Sequence, residues 1–462
     1  MSFVNISING QNYQVENKAL LIDVLNENGI KIPYFCYHEA LGADGNCRMC
    51  MVEIEGMKRP QIACDTFVKD GMIVRTNGSK IDLVRQRILE LELINHPVDC
   101  PVCDQAGECK LQDYYMDYGL YDSKINKLQK VKHKKHTELG SNVMLDQERC
   151  VLCARCVRFT SNITKTGELG IINRADHSCV SVVPGYKLDN PYAMNVIDLC
   201  PVGALTSKDF RFHQRVWFLK SAPSVCQGCA TGCNIFIDHN KEKYKDDAIF
   251  RFRPRINKKI NGHFMCDFGR LSYKKLTQNR QLENFLNSSQ ISMLSAVEVV
   301  KTKIKSAKNI TILIDANLFV EDIEAILDFA KTINASVACP SECYIDKDFA
   351  DDWLRSEYKC SNISTISKFE IPNFVTNEND LDLLINFNHP DFSKYKPKQS
   401  ISFQTHKNFE SALILAIPVY CEYSGTLVNE DGISQFVEVS ISKVKPITQV
   451  SQWIEKIKGA LK

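Results

Sequence analysis

The chain is 462 residues long, with 44% apolar residues, 24% charged residues and a formal charge of +2. That length has room for two to four domains at about 150 residues each, and the near-neutral charge argues against a nucleic-acid-coating or a strongly acidic surface. No basic stretch followed by an apolar run opens the sequence, and apolar runs such as residues 412–416 are far too short to span a bilayer. A soluble chain is therefore expected, meeting a membrane only through a partner.

Cysteine is the anomaly: there are 20, of which only Cys339, Cys343, Cys360 and Cys421 come after Cys266. Without a secretory signal, disulfides explain them poorly, and clustered C-x2-C pairs point to metal or catalysis. The uneven distribution divides a cysteine-rich front of roughly 270 residues from an ordinary rear.

In chain order, two alternating runs flank Asn9-Gly10, the strongest short hairpin signal. A helix over residues 19–28 follows, carrying Leu20, Leu21, Val24 and Leu25 and stopped by Gly29. This is the opening of a β-grasp domain, expected over residues 1–78, with a short strand at residues 51–54. The spacing Cys36-x10-Cys47-x2-Cys50-x13-Cys64 varies the plant-type ferredoxin pattern and indicates a [2Fe–2S] cluster. Gly42 and Gly45 lie in the first loop, where backbone N–H groups could approach sulfur closely. A zinc ribbon, the alternative, would use two separated C-x2-C pairs.

Ser79 opens a helix with Asp82 as a capping-box-like partner, and Leu83, Ile88, Leu91 and Ile94 as its expected buried face. Its stop near Pro97 delivers His96 to the loop holding Cys100, Cys103 and Cys109. A histidine before a proline is usually only a helix-end residue; three cysteines directly after it make it the fourth ligand of a [4Fe–4S] site, in a domain over residues 79–123. Imidazole in place of thiolate removes a negative charge and tends to raise the potential. Lys124, Lys127, Lys130, Lys132, His133, Lys134, Lys135 and His136 read as a solvated linker face, the histidines not as ligands.

Cys150, Cys153 and Cys156 begin the bacterial ferredoxin run, but Thr160 stands at its fourth position. Cys200, followed by proline, is the expected distant ligand in preference to Cys179, followed by valine. A [4Fe–4S] domain over residues 140–220 results. Cys226, Cys229, Cys233 and Cys266, with Gly228 and Gly232 among them, form a last set over residues 221–277, read as a third [4Fe–4S] site with structural zinc as its competitor. The rear, residues 278–462, reads as α/β: strands at 309–314 and 382–387, and between them a helix at 321–333 with Ile323, Ile326, Leu327 and Ala330 on one face. Its four cysteines lack ligand spacing, and it holds no dinucleotide, Walker or nucleophile-elbow motif.

A [2Fe–2S] set, then His-x3-Cys-x2-Cys-x5-Cys, then C-x2-C-x2-C with a distant Cys-Pro resembles the large iron–sulfur subunit of respiratory complex I, the bacterial G-type or mitochondrial 75-kDa family. The Cys226–Cys266 set, followed by Asp267-Phe268-Gly269-Arg270, is similar to the additional cluster site of many bacterial members. Residues 418–435, with Glu422, Asn429, Gly432 and Gln435, are similar to part of the family's molybdopterin-oxidoreductase-like domain, here shortened. The resemblance implies an electron-transfer subunit of a proton-pumping NADH:quinone oxidoreductase, with one [2Fe–2S] and three [4Fe–4S] clusters and no molybdopterin. It implies flavin-bearing and quinone-proximal iron–sulfur subunits as partners, no nucleic acid, and a peripheral place on the cytoplasmic side of a bacterial inner membrane. An NAD-linked hydrogenase or formate dehydrogenase subunit, or a zinc-bound scaffold, are the alternatives.

Overall fold

In a computed structural model, which describes residues 2–119, 130–240, 248–376, 381–407, 410–441 and 447–462, the N-terminal runs form β1 (Phe3–Ile8) and β2 (Gln11–Glu16), paired antiparallel. Asn9 and Gly10 between them take positive φ, 52° and 86°, the backbone that lets a two-residue turn follow the twist of its strands. α1 (Leu21–Glu27) starts two residues later than expected, because Leu20 stays extended and bridges to Phe67. It ends at Gly29, in left-handed conformation, where the Ile30 N–H reaches back to the Leu25 carbonyl. β3 (Met51–Ile54), β4 (Gln61–Ile62) and β5 (Ile73–Arg75) complete a sheet ordered β2-β1-β5-β3-β4, in which β1 and β5 run parallel. Leu21, Ile22, Val24 and Leu25 pack into one core with Ile6, Ile8, Val52 and Val74.

α2 (Ser79–Leu93) forms where expected, but two details differ. Gly78 precedes it without a side-chain cap, so no capping box forms with Asp82. The buried face is Ile81, Arg85 and Leu89, whereas Leu83, Leu91 and Ile94 are exposed. The i, i+4 row of an α-helix is honoured, but a cation occupies its middle. The Arg85 guanidinium donates to the Met51 and Thr76 carbonyls and lies 5.0 Å from the centre of the Tyr118 ring. Tyr118 belongs to α3 (Lys110–Tyr118).

Of the basic run that follows, Lys124 and Lys127 lie outside the described residues. Lys132, Lys134 and His136 are exposed, as a solvated face requires, but two lysines turn inward. Lys130 Nζ donates to the His96 carbonyl at 2.6 Å, and Lys135 Nζ lies 2.9–3.7 Å from Glu148, Asp99 and Asp146. β6 (Thr137–Glu138), β7 (Val143–Leu145), α4 (Arg155–Arg158), β8 (Leu169–Ile172), β9 (Cys179–Val182), α5 (Asn195–Leu199) and β10 (Leu205–Ser207) complete the first of two units, Met1–Trp217. Its small sheet runs β10-β7-β6, with β8 and β9 as a separate hairpin.

The second unit, Phe218–Lys462, opens with an antiparallel sheet of β11 (Leu219–Val225), β12 (Asn234–Asn240) and β13 (Ile249–Pro254), then α6 (Asp267–Leu271) and α7 (Tyr273–Thr277). There follow β14 (Asn284–Leu286), β15 (Ser289–Ile291), α8 (Met293–Ser306), β16 (Ile310–Ile314), α9 (Val320–Ile333), β17 (Ser336–Ala338), α10 (Ile363–Lys368), β18 (Leu383–Phe387), β19 (Gln399–Gln404) and β20 (Leu413–Ala416). These strands make a seven-stranded sheet ordered β15-β14-β20-β19-β18-β16-β17, parallel from β20 to β17. β16 and β18, the two strands expected from the sequence, are neighbours, and every residue of each is buried. Near-continuous apolar runs are what a parallel sheet covered on both faces requires. A hairpin of β21 (Gly425–Val428) and β22 (Ser434–Val437), then α11 (Val450–Leu461), end the chain.

On α9, Ile323, Ile326 and Ala330 are buried as expected, and Phe329 joins them while Leu327 is half-buried. Asp322 is buried there too, and burial pushes its carboxyl up to about 6, against the Tyr423 hydroxyl that donates to it at 2.8 Å. A carboxyl raised in the folded state loses stability as pH climbs from about 4 through 6, because the unfolded chain ionises it more freely. Asp322→Asn is therefore expected to stabilise the second unit by about 2 kcal/mol at pH 7.5 and to give no gain at pH 4. Urea unfolding at the two pH values measures the difference, and an equal effect at both would refute the cause.

Candidate metal centres

Cys36, Cys47, Cys50 and Cys64 converge where the first loop meets the sheet, each at most 6% exposed. Cys50 precedes β3 and Cys64 follows β4, so the pairing of these two strands sets one side of the site, with Ala63 N–H bound to the Cys50 carbonyl. Cys36 receives hydrogen bonds from the Cys47 and Cys64 thiols and from the Gly45 backbone, which hold it far below the usual thiol range. In turn, the bonds to Cys36 push Cys47 and Cys64 upward. The Phe35 N–H points at Cys47 Sγ, 3.4 Å away. Gly45 has φ 72°, and a Cβ there would meet Ile62 at 3.3 Å, so glycine suits the loop both sterically and conformationally.

His96, Cys100, Cys103 and Cys109 lie on the loop between α2 and α3. Burial lowers the His96 imidazole to about 4, with Asp99 opposing the shift and Lys130, Arg149 and Lys135 adding to it. The ring is thus neutral at physiological pH, as a metal ligand must be. The Val98 N–H donates to His96 Nδ1 at 3.1 Å, which leaves the ring proton on Nε2. Burial pushes the Cys109 thiol up to about 11, with Cys103 and Cys200 adding to it. The loop is pinned by a network whose members carry no motif in the sequence. Arg149 forks onto Asp99 at 2.9 and 2.7 Å, and Lys135 adds a contact to the same carboxylate at 3.1 Å.

Cys150, Cys153, Cys156 and Cys200 line one apolar cavity with Leu145, Val151, Val180 and Leu205. Leu152 and Ala154, at φ 47° and 57°, place successive cysteines of the C-x2-C-x2-C turn toward it. Cys200 accepts backbone hydrogen bonds from Val202, Ala204 and Leu205 that oppose the upward push of burial. Burial also raises Cys153, to about 12. Cys179 begins β9 and is not among the lining residues; its Sγ is 3.8 Å from the Asn173 amide. Gly203, just past Cys200, faces Cys103: a Cβ would stand 2.2 Å from that sulfur.

In the second unit, Cys226, Cys229, Cys233 and Cys266 are each 5% exposed. The Gly228 N–H points at Cys226 Sγ and the Gly269 N–H at Cys266 Sγ, both at 3.3 Å. A Cβ on Gly269 would sit 2.9 Å from Cys226 Sγ and 3.4 Å from Cys266 Sγ, so the cradle admits sulfur and backbone but no side chain. Burial pushes the Cys266 thiol up to about 12. The loop is braced from the rear of the same unit: Gln435 donates to the Gly232 carbonyl at 2.8 Å and Asn429 to the Thr231 carbonyl at 3.3 Å.

Among the described residues no three His, Cys, Asp or Glu side chains converge closely enough to share one ion. An iron–sulfur cluster is held by cysteine thiolates, with imidazole able to replace one of them. Buried thiols, a cysteine-lined cavity and glycine-backed cradles fit such a group. Where burial raises the thiol, as at Cys109, Cys153 and Cys266, loading releases protons.

Four family models match the chain. They are a 2Fe-2S iron-sulfur cluster binding domain at residues 2–79, the NADH-ubiquinone oxidoreductase-G iron-sulfur binding region at 85–124, the NADH-quinone oxidoreductase subunit 3 ferredoxin-like domain at 140–206, and the molybdopterin oxidoreductase Fe4S4 domain at 219–278. Domains of the 2Fe-2S and 4Fe-4S binding types are therefore present. Among curated relatives, the G subunit of NADH-quinone oxidoreductase from Rickettsia conorii is 35% identical over 309 residues, 66% of this chain and 45% of the relative. The NADH-ubiquinone oxidoreductase 75 kDa subunit of Reclinomonas americana is 32% identical over 396 residues, 83% of this chain and 56% of the relative. The chain thus spans about half the length of these relatives. A solved chain from an NAD+-reducing [NiFe]-hydrogenase in the H2-reduced state aligns over 46% of this chain and 91% of its own, at 24% identity and a TM-score of 0.39, a likeness too slight to decide anything. With the three front models and these relatives in agreement, the chain belongs to the family formed by the NADH-quinone oxidoreductase G subunits and the 75 kDa subunits.

Proposed function

We propose that the chain is the electron-carrying iron–sulfur subunit of an NADH:quinone oxidoreductase, relaying electrons from flavin on a partner subunit towards quinone. In this reading it sits peripherally on the cytoplasmic face of a bacterial membrane through its complex; among the described residues no helix is long and apolar enough to cross one. Cys36, Cys47, Cys50 and Cys64 hold a [2Fe–2S] cluster. Three [4Fe–4S] clusters are held by His96, Cys100, Cys103 and Cys109, by Cys150, Cys153, Cys156 and Cys200, and by Cys226, Cys229, Cys233 and Cys266. Such clusters, when bound, exchange single electrons at potentials set by charge, hydrogen bonds and burial. The chain's own residues supply all three: glycine and loop N–H groups on the sulfurs, arginines beside the loops, and apolar walls.

The observation that carries this reading is one construction repeated in the chain, in which thiols kept largely from water have backbone N–H groups aimed at their sulfurs. The front sheet with its single crossing helix is read as a β-grasp domain, and the rear as a molybdopterin-oxidoreductase-like α/β domain. In support of the latter, the strand order of the parallel sheet reverses between β16 and β18, where α/β proteins take ligands. There Asp315, just past β16, is engaged by Tyr344, Asn317 and Asn388 at 2.8–3.0 Å.

Full-length protein purified without oxygen is expected to be brown, to carry iron and sulfide, and to give reduced-state EPR signals of both cluster types. Cys200→Ser should lose one [4Fe–4S] signal, while Cys179→Ser keeps every signal. A colourless protein containing only zinc would overturn the electron-transfer reading, and the opposite result for the two serine variants would overturn the ligand choice.

A further inference from the structure

The loop that carries Cys36 is held from two sides by residues that lie within or just after other cysteine sets. From α4, Arg155 donates to the Tyr37 carbonyl at 2.5 Å and to the Leu199 carbonyl, just before Cys200, at 3.1 Å. Arg158 donates to the Leu41 and Gly42 carbonyls at 3.2 and 2.9 Å and also to the Cys36 carbonyl. Asn46 adds a bond to the Leu152 carbonyl, between Cys150 and Cys153, at 3.0 Å. From α3, Tyr114 accepts the Tyr34 N–H at 3.1 Å and donates to the Tyr34 carbonyl at 3.2 Å.

The surroundings of Arg155 are the unusual part. It is 7% exposed, and among the described residues it makes no ion pair; its partners are backbone carbonyls and the face of the Tyr34 ring. A buried cation without an anion is costly. Thiolate-ligated iron on either side would supply the missing negative charge. Arg158 has a carboxylate, Asp44, only at 3.9 Å.

We infer that Arg155 and Arg158 are positioning residues that lock the Cys36 loop onto the Cys150–Cys156 turn and hold up the potentials of the two centres they join. The inference rests on the iron–sulfur reading above and names the residues that set the geometry between two of its sites. A guanidinium spans several carbonyls as a rigid fork, which lysine cannot reproduce, whereas lysine keeps the charge. The two contributions are therefore separable.

The test uses the full chain, purified anaerobically, with iron content and redox-titrated EPR as readouts. Arg155→Gln should lower the midpoint potentials of the [2Fe–2S] and Cys150–Cys200 centres at undiminished iron content, leaving the Cys226–Cys266 signal as an internal control. Arg155→Lys should recover the potentials. Arg158→Gln should weaken the magnetic interaction between the two reduced centres, read as slower spin relaxation of the [2Fe–2S] signal by several-fold. If Arg155→Gln fails to take up iron, the Arg158 variant is judged on both potential and relaxation. Fully loaded variants with unchanged potentials and relaxation overturn the inference alone. Absence of both signal types from the unaltered chain overturns the iron–sulfur reading, and the inference with it.

Discussion

Gly203→Ala is expected to empty the His96–Cys109 site while leaving the [2Fe–2S] and Cys226–Cys266 signals in place. The added methyl would stand 2.2 Å from Cys103 Sγ and 3.1 Å from Gln105 Cβ. Neither can retreat easily, because Lys110 N–H holds the same stretch to the Pro201 carbonyl at 2.9 Å and Arg215 grips the Cys103 carbonyl at 2.7 Å. Overpacking of a tight contact costs about 1–3 kcal/mol in stability, which a folded unit survives; a displaced ligand sulfur is a harsher loss for a cluster. Iron per chain should fall by one cluster's complement, with one [4Fe–4S] signal gone. Undiminished iron and an unchanged spectrum would show that the two loops are not pressed together as described.

Glu422→Ala should be the most damaging single change in the second unit, costing about 3–5 kcal/mol. Its carboxylate is fully buried and takes a forked pair of bonds from Arg280 at 3.1 and 2.7 Å, as well as the Val419 N–H at 3.1 Å. Removing it strands a guanidinium that is 8% exposed. Chemical unfolding of the full chain should show the second unit melting early while signals from the first unit persist. A paired Arg280→Met, Glu422→Leu variant should regain much of the loss, because the damage comes from the unpaired charge. A single variant as stable as the unaltered chain would refute the argument.

The C-x2-C pairs were visible in the sequence because such a turn places two sulfurs on one side whatever surrounds it, and the structure adds the distant Cys200 to the cavity lined by Cys150, Cys153 and Cys156. β16 and β18 were legible for a related reason, since a strand covered on both faces must be apolar throughout. What escaped was any side chain whose role depends on distant partners. The exposed Leu83 and Leu91 were expected in the core of α2, while Arg85 was left out of its buried face, because the carbonyls of Met51 and Thr76 that receive Arg85 lie outside the helix. Lys130 and Lys135 were hidden in a basic run of which only part is solvated. Asp99, Arg149 and Arg155 did leave a trace, a charged residue directly before a ligand cysteine, but one such neighbour says nothing until the three-dimensional partners are known. The order of the seven-stranded sheet is likewise a matter of long-range pairing that periodicity does not carry.

The turn around Cys150 owes its shape to a stretch of chain more than a hundred residues away. Leu152 and Ala154 both sit in the left-handed region, at φ 47° and 57°, a conformation that costs an ordinary L-residue roughly 1–2 kcal/mol. Arg155 and Arg158 tie that turn to the Tyr37, Leu41 and Gly42 carbonyls, so a costly local conformation is kept by a distant loop. A change that loosens the loop around Cys36 is therefore expected to be felt at Cys150 as well.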